Sequence, residues 1–137
     1  MSDPAPHSPS AANKQRLAYA YAEAARGNTQ PFWELLSENA AWSKIGSTAW
    51  SRTYTGISEI RAMLARLREQ LDGPHVVLAD HLIAEGNHVV VQAHGRATTK
   101  AGHAYNNTYC MVYQFAGGRI AHVQEYCDTA LIDAVLT

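Results

Sequence analysis

The sequence predicts a single α+β domain in which N-terminal helices pack on the concave side of a curved antiparallel sheet. Three observations carry this. The chain has 137 residues, enough for one domain that buries a real core unaided. Its first half shows apolar residues at helical spacing. After Gly73-Pro74 the texture changes to four long β-type segments separated by tight turns.

Composition removes several function classes. Apolar residues make up 47% and charged residues 17%, a globular balance with no bias toward disorder. Net charge is −1 and no basic cluster stands out, so nothing directs the chain to nucleic acid or to an anionic membrane. Two cysteines, Cys110 and Cys127, are too few for a secreted disulfide scaffold. The first twelve residues are polar and rich in Pro and Ser, unlike a signal peptide, and no apolar run approaches the roughly 20 residues that span a bilayer. The expected compartment is the cytoplasm.

Residues 1–12, with Pro4, Pro6 and Pro9, read as a loose tail, and residues 13–137 as the domain. Leu17, Tyr21 and Ala24 form the stripe of a first helix that starts near Asn13 and stops at Gly27. Thr29 is placed to cap a short second helix carrying Phe32, Leu35 and Leu36, with Pro31 in its first turn. A short strand is expected over 40–44, then a loop over 46–55 that holds Trp50 and Tyr54. Ser58 is placed to cap a third helix with Ile60, Met63, Leu64 and Leu67 on one face. Strands follow over about 75–85, 88–99, 104–115 and 119–128, broken at Gly86-Asn87, Gly102 and Gly117-Gly118. At about ten residues each they exceed the usual five or six, so they must twist and bend. A terminal helix is expected from about Asp128 to Val135.

Three segments resemble the nuclear-transport-factor-like superfamily, and within it the ketosteroid-isomerase-like and SnoaL-like proteins. Ala41-Trp42-Ser43-Lys44-Ile45-Gly46 is similar to their first-strand motif. Thr53-Tyr54-Thr55-Gly56 before a capped helix is similar to the start of their third helix. Tyr105 to Cys110, with Gly118-Arg119-Ile120 and Glu125 to Thr129, is similar to their last two strands. The resemblance covers about residues 13–135. It implies a cone-shaped fold with three N-terminal helices on a strongly curved antiparallel sheet enclosing a pocket, and it implies a homodimer. One fold hosts many chemistries, so the activity must be argued from the site.

Neighbours on a strand point to opposite faces, so one anchor orients the rest. In epoxide hydrolases of this superfamily a last-strand aspartate precedes an aromatic pair and a second aspartate; Glu125 occupies the matching place. That resemblance turns Ala121, Val123, Glu125 and Cys127 inward, with Asn107, Tyr109, Met111 and Tyr113 on the strand before. It also turns Val90, Gln92 and His94 inward, and Trp42 and Lys44 on the first strand. The ketosteroid isomerase base and its two oxyanion donors fall on Lys44, Ala20 and Met111, so none of the three is kept. The remaining two epoxide hydrolase positions fall on Gln92 and His94, so only one carboxylate of that triad survives.

The expected proton-transfer pair is therefore Glu125 with His94, a carboxylate and an imidazole in an apolar cleft. The alternative is a buried polar network that satisfies itself. Lys44 is a base or imine-forming amine if desolvated, or else a lysine reaching from the pocket edge. Gln92, Asn107 and Tyr109 are placed to hydrogen-bond a ligand. Trp50 and Tyr54 sit where a lid would be, although such aromatics more often belong to the core. Asp128 reads as the cap of the last helix or as a third catalytic candidate. The histidines are scattered, with no HxxxH, HxH or CxxC spacing, and no Gly-rich phosphate loop is present, so neither metal nor cofactor is expected. The leading reading is a cofactor-independent acid–base enzyme, an isomerase, cyclase or hydratase acting on a small carbonyl, phenolic or polyketide-like molecule. The rivals are a non-catalytic ligand-binding or dimeric assembly module, and an epoxide hydrolase-like enzyme with an altered triad.

Overall fold

Ser8 and Pro9 start the first helix earlier than its apolar stripe suggests. The Ser8 hydroxyl accepts a hydrogen bond from the Ala11 amide at 3.1 Å, and Pro9 takes the first helical position, where its missing N–H costs nothing. The computed structural model describes residues 8–137, so most of the expected tail, with Pro4 and Pro6, lies outside the described residues. Helix α1 runs over Pro9–Ala25 and buries Leu17, Ala20 and Tyr21. Helix α2 (Gln30–Leu35) follows after Thr29, whose side chain makes no capping bond. Strand β1 (Leu36–Lys44) and strand β2 (Thr53–Thr55) come next, and then helix α3 (Ile57–Glu69).

Helix α3 buries Ile60, Met63 and Leu67, as its stripe predicts. Its N-cap is Gly56 rather than Ser58, and the Glu59 carboxylate accepts from the Thr55 amide instead. The four long strands are β3 (Val76–Glu85), β4 (His88–Arg96), β5 (Thr108–Ala116) and β6 (Arg119–Cys127), and α4 (Thr129–Val135) closes the chain. The β5–β6 turn has only Gly117 and Gly118 between the strands, at φ 59° and 81°. Two successive positive φ values define the tight hairpin that matches strand twist, and glycine reaches them without strain.

The six strands form one open, curved sheet in the order β2-β1-β6-β5-β4-β3. The fold class is the expected α+β one, with a refinement: β1 lies parallel to β6, so the sheet is mixed rather than wholly antiparallel. Strand β1 is also longer than expected. Ser37, Glu38 and Asn39 are poor strand formers, but the pairing of Leu36 with Ile120 and of Ala41 with His122 holds them in a bulged strand. Helices α1, α2 and α3 cover the concave face, where Leu17, Ile60, Val89, Val91, Tyr113, Phe115, Ile120 and Val123 are essentially inaccessible. No helix among the described residues is long and apolar enough to cross a membrane.

Two register details correct the inward face. A bulge between Gln114-Phe115 and the facing His122-Ile120 gives β6 an extra residue, Ala121, so Ile120 points into the core in its place. On β4 the inward side chains are Val89, Val91 and Ala93, because Val91 pairs with Met111 and Ala93 with Tyr109. Val90, Gln92 and His94 point outward. A one-residue slip in a period-two pattern moves a whole set to the other face.

Candidate functional site

The parallel pairing of β1 with β6 places Lys44 directly beside Glu125, and alternation turns both side chains to the concave face. The Lys44 ammonium lies 2.9 Å from Glu125 Oε2, and the Trp42 indole N–H donates to Glu125 Oε1 at 3.2 Å. The two charged side chains are 9% and 5% exposed, so this is an interior ion pair. Burial pulls the Lys44 ammonium down, but the charge and hydrogen bond of Glu125 outweigh it and hold its pKa above the ordinary lysine value. Lys44 therefore stays protonated at neutral pH, which argues against the free-amine role.

A cavity of about 190 Å³ opens in front of this pair. Its apolar wall comes from Ala20, Tyr21 and Ala24 of α1, Phe32 of α2, Leu64 and Leu67 of α3, and Val77 and Met111 of the sheet. Phe32 meets Tyr21, Trp42 and Tyr113 edge-on, with ring centroids 6.3–6.5 Å apart. The Tyr21 and Tyr113 hydroxyls bond to each other behind it.

The polar end is made by Lys44, Glu125, His75, Tyr105 and Tyr109. The Tyr109 hydroxyl lies 3.4 Å from His75 Nε2, and the His75 and Tyr105 rings are 5.8 Å apart. Burial lowers the His75 pKa, so the imidazole is neutral near pH 7. Burial raises both Tyr105 and Tyr109, so each keeps its phenolic proton and can donate it. Room for this end comes from Gly95 on β4. A Cβ there would sit 3.2 Å from both His75 Nε2 and the Tyr109 ring.

The expected site residues divide clearly. Trp42, Lys44, Tyr109, Met111 and Glu125 line the cavity. Val123 points inward but is sealed in the core beneath. Cys127 Sγ lies 3.9 Å from Glu125 Oε2; burial, and then the nearby carboxylate, push its thiol up to about 11, so it is no thiolate at neutral pH. His94 is not Glu125's partner. It faces the convex side, where its Nδ1 lies 2.8 Å from Asp80. Gln92 is exposed on that same face. With both outside, the altered epoxide hydrolase triad has no members left but Glu125.

Asn107 is buried but serves as a clasp. It accepts from the Asp128 and Thr108 amides at 2.9 and 2.8 Å and donates to the Asp128 carbonyl at 3.2 Å. Asp128 caps α4 by accepting from the Leu131 amide, the structural one of its two expected roles. Trp50 and Tyr54 are 2% and 3% exposed, and the Tyr54 hydroxyl donates to the Trp50 carbonyl. They belong to the core rather than to a lid.

His75, Tyr105, Tyr21 and Phe32 also line the cavity, although the sequence did not mark them as site residues. His75 shares a strand phase with Val77, and that spacing of two was the available signal. Tyr105 lies in the loop before β5, yet it shares the phase of Asn107, Tyr109 and Met111 in the strand expected over 104–115, and that phase was its signal. Among the described residues, no group of three or more His, Cys, Asp or Glu side chains is arranged to hold a metal ion.

A cone of helices on a curved open sheet, with a small cavity whose polar end is an interior ion pair, defines a small-molecule pocket domain. The family model described as the SnoaL-like domain matches residues 17–123, and the chain belongs to that family. Among curated proteins none matches. Solved structures share the fold. Bal32a from a soil-derived mobile gene cassette is 22% identical, with a TM-score of 0.82 over 93% of this chain and 98% of that one. A nuclear-transport-factor-2-like protein from Burkholderia pseudomallei K96243 is 20% identical, with a TM-score of 0.80 over 92% and 98%. TerC, crystallised with polyporic acid, is 17% identical, with a TM-score of 0.78 over 90% and 97%.

Proposed function

We propose that this protein is a cofactor-independent acid–base enzyme acting on a small, largely apolar carbonyl, phenolic or polyketide-like molecule held in the cone. The observation that carries the reading is Glu125, a carboxylate 4% exposed at the floor of an aromatic cavity. A carboxylate there is shielded from water and can move a proton between two positions of a bound molecule, as isomerases, cyclases and hydratases require. Tyr105 and Tyr109 are phenol donors for the ligand's oxygen, and His75 orients Tyr109. Crystallisation of TerC with polyporic acid supports an oxygenated organic ligand for the fold. The protein acts as a cytoplasmic homodimer through the convex face that carries Cys110, Val112, Gln124 and Tyr126.

Nitrobenzisoxazole tests the base directly. Its ring opens when a base removes one C–H proton, releasing a coloured nitrophenolate. The wild type should open it faster than acetate does at equal concentration and pH, and Glu125→Gln should lose on the order of 10²–10⁴ of that rate. A folded Glu125→Gln variant that keeps the wild-type rate would remove Glu125 from the chemistry. One observation favours the rival reading of a binding module without chemistry: both Glu125 oxygens already have partners, Lys44 and Trp42. Under that reading the wild type is no faster than acetate while small ligands still bind.

A further inference from the structure

The Lys44 ammonium has three donors, and Glu125 is its single hydrogen-bond acceptor among the described residues. The Trp50 ring, 5.9 Å away, offers a cation–π contact but no lone pair. Two N–H groups thus remain on a side chain only 9% exposed that forms part of the cavity wall. Buried donors without acceptors are costly, and here the cavity is where an acceptor can arrive. The charges around it are already balanced, one positive on Lys44 and one negative on Glu125. The neighbouring imidazole and phenols add none at neutral pH. A cavity of about 190 Å³ is also smaller than the roughly 300 Å³ at which drug-sized sites begin.

We propose that Lys44 receives the ligand's oxygen and sets the specificity of the site, which takes neutral one-ring ketones, enols or phenols and turns away carboxylates. This rests on the acid–base reading of the pocket and deepens it. A carboxylate would bring a second negative charge beside Glu125, which like-charge repulsion disfavours. A neutral ketone brings none. When its α C–H bond breaks, the proton passes to Glu125, the bonding pair becomes the enolate double bond, and the carbonyl π pair moves to oxygen. The site's negative charge has then moved from one neighbour of Lys44 to the other, and the total is unchanged. Where the ketone carries a β,γ double bond the anion is a dienolate, and reprotonation by Glu125 at the γ carbon shifts that double bond into conjugation, an isomerisation with no oxidant or reductant.

Binding of three probes, followed by chemical-shift titration, tests this: acetophenone, ethylbenzene of the same shape without the oxygen, and benzoate. A charge-assisted hydrogen bond corresponds to roughly a ten- to hundredfold preference. The wild type should bind acetophenone at least about tenfold more tightly than either of the others. Lys44→Met should lose about tenfold or more of that acetophenone preference, keeping only the part that the Tyr105 and Tyr109 phenols supply. Glu125→Gln, which leaves Lys44 uncompensated, should gain about tenfold or more for benzoate, a change that a merely structural lysine would not produce. If Lys44→Met does not fold, the Lys44→Met/Glu125→Gln pair carries the same test with both charges removed. An undiminished acetophenone preference without Lys44, or an unchanged benzoate affinity in Glu125→Gln, overturns the proposal. These are binding readouts, so they stand apart from turnover. A Glu125→Gln variant that still opens nitrobenzisoxazole removes the catalytic reading and leaves this pattern intact, whereas loss of the pattern with Glu125-dependent turnover removes only the role of Lys44.

Discussion

Replacing Lys44 by Met leaves the Glu125 carboxylate in the interior with Trp42 as its remaining strong donor. Both members of the pair are almost fully enclosed, 9% and 5% exposed, so solvent screening softens the loss very little. Stranding one charge of a buried pair costs about 3–5 kcal/mol. The surviving indole hydrogen bond offsets about 1 kcal/mol of that. The net expectation for Lys44→Met is a loss of about 2–4 kcal/mol, or roughly 10 °C in Tm for a chain of this length. The double variant Lys44→Met/Glu125→Leu should return to within about 1 kcal/mol of wild type, since a well-packed apolar pair replaces the ions without stranding either. Urea unfolding followed by far-UV circular dichroism measures all three, at one protein concentration because self-association shifts apparent stability. A double variant as unstable as the single one, or a single variant indistinguishable from wild type, would show that the pair is not interior in the way described.

Four further outcomes follow from the structure. Burial lowers the His75 pKa below its ordinary value of 6.5, so the stability tied to neutral His75 is present above that value and lost as pH falls through the lower folded one; His75→Phe should flatten this acid limb in a pH series of urea melts. Lys44 behaves oppositely: its folded pKa is raised, so its contribution is complete below 10.5 and disappears as pH rises through the higher folded value, an alkaline limb that Lys44→Met should lack. Gly95→Val forces side-chain atoms against His75 and Tyr109, which should cost about 1–3 kcal/mol and close the polar end to acetophenone; unchanged affinity in a folded variant would mean the cavity does not depend on that gap. The convex face leaves Tyr126 43% exposed, and sedimentation at micromolar concentration should give twice the 15.0 kDa chain mass, with Tyr126→Glu shifting the protein to monomer; a wild-type monomer counts against the dimer.

Local chemistry was enough for most of the elements. The stripe Ile60, Met63, Leu67 and the Gly-rich turns placed α3 and the four long strands, because their periods and breakers are written into adjacent residues. The Ser8-Pro9 signal was equally local, and it places the start of α1 ahead of the apolar stripe. Even the outward face of β4 was legible in part: His88, Gln92 and His94 share one phase, and three polar residues in phase are the mark of a solvent face. The alignment anchored on Glu125 overrode that signal because it carried strand phase across three strands without a register.

The sequence by itself determined the α+β class, the helix faces, the long strands and the inward positions of Trp42, Lys44, Tyr109, Met111 and Glu125. The class, helix faces and strands follow from period and punctuation within a few residues, whereas the inward positions rest on the family resemblance that anchored the strand phase at Glu125. Only the tertiary structure decided the partners. Lys44 and Glu125 are 81 residues apart and meet because β1 runs parallel to β6 in one register. His75 reaches Tyr109 because Gly95, on the strand between β3 and β5, has no side chain. Strand pairing, bulges and the gap left by one glycine are relations between distant segments, and no window along the chain contains both sides of them.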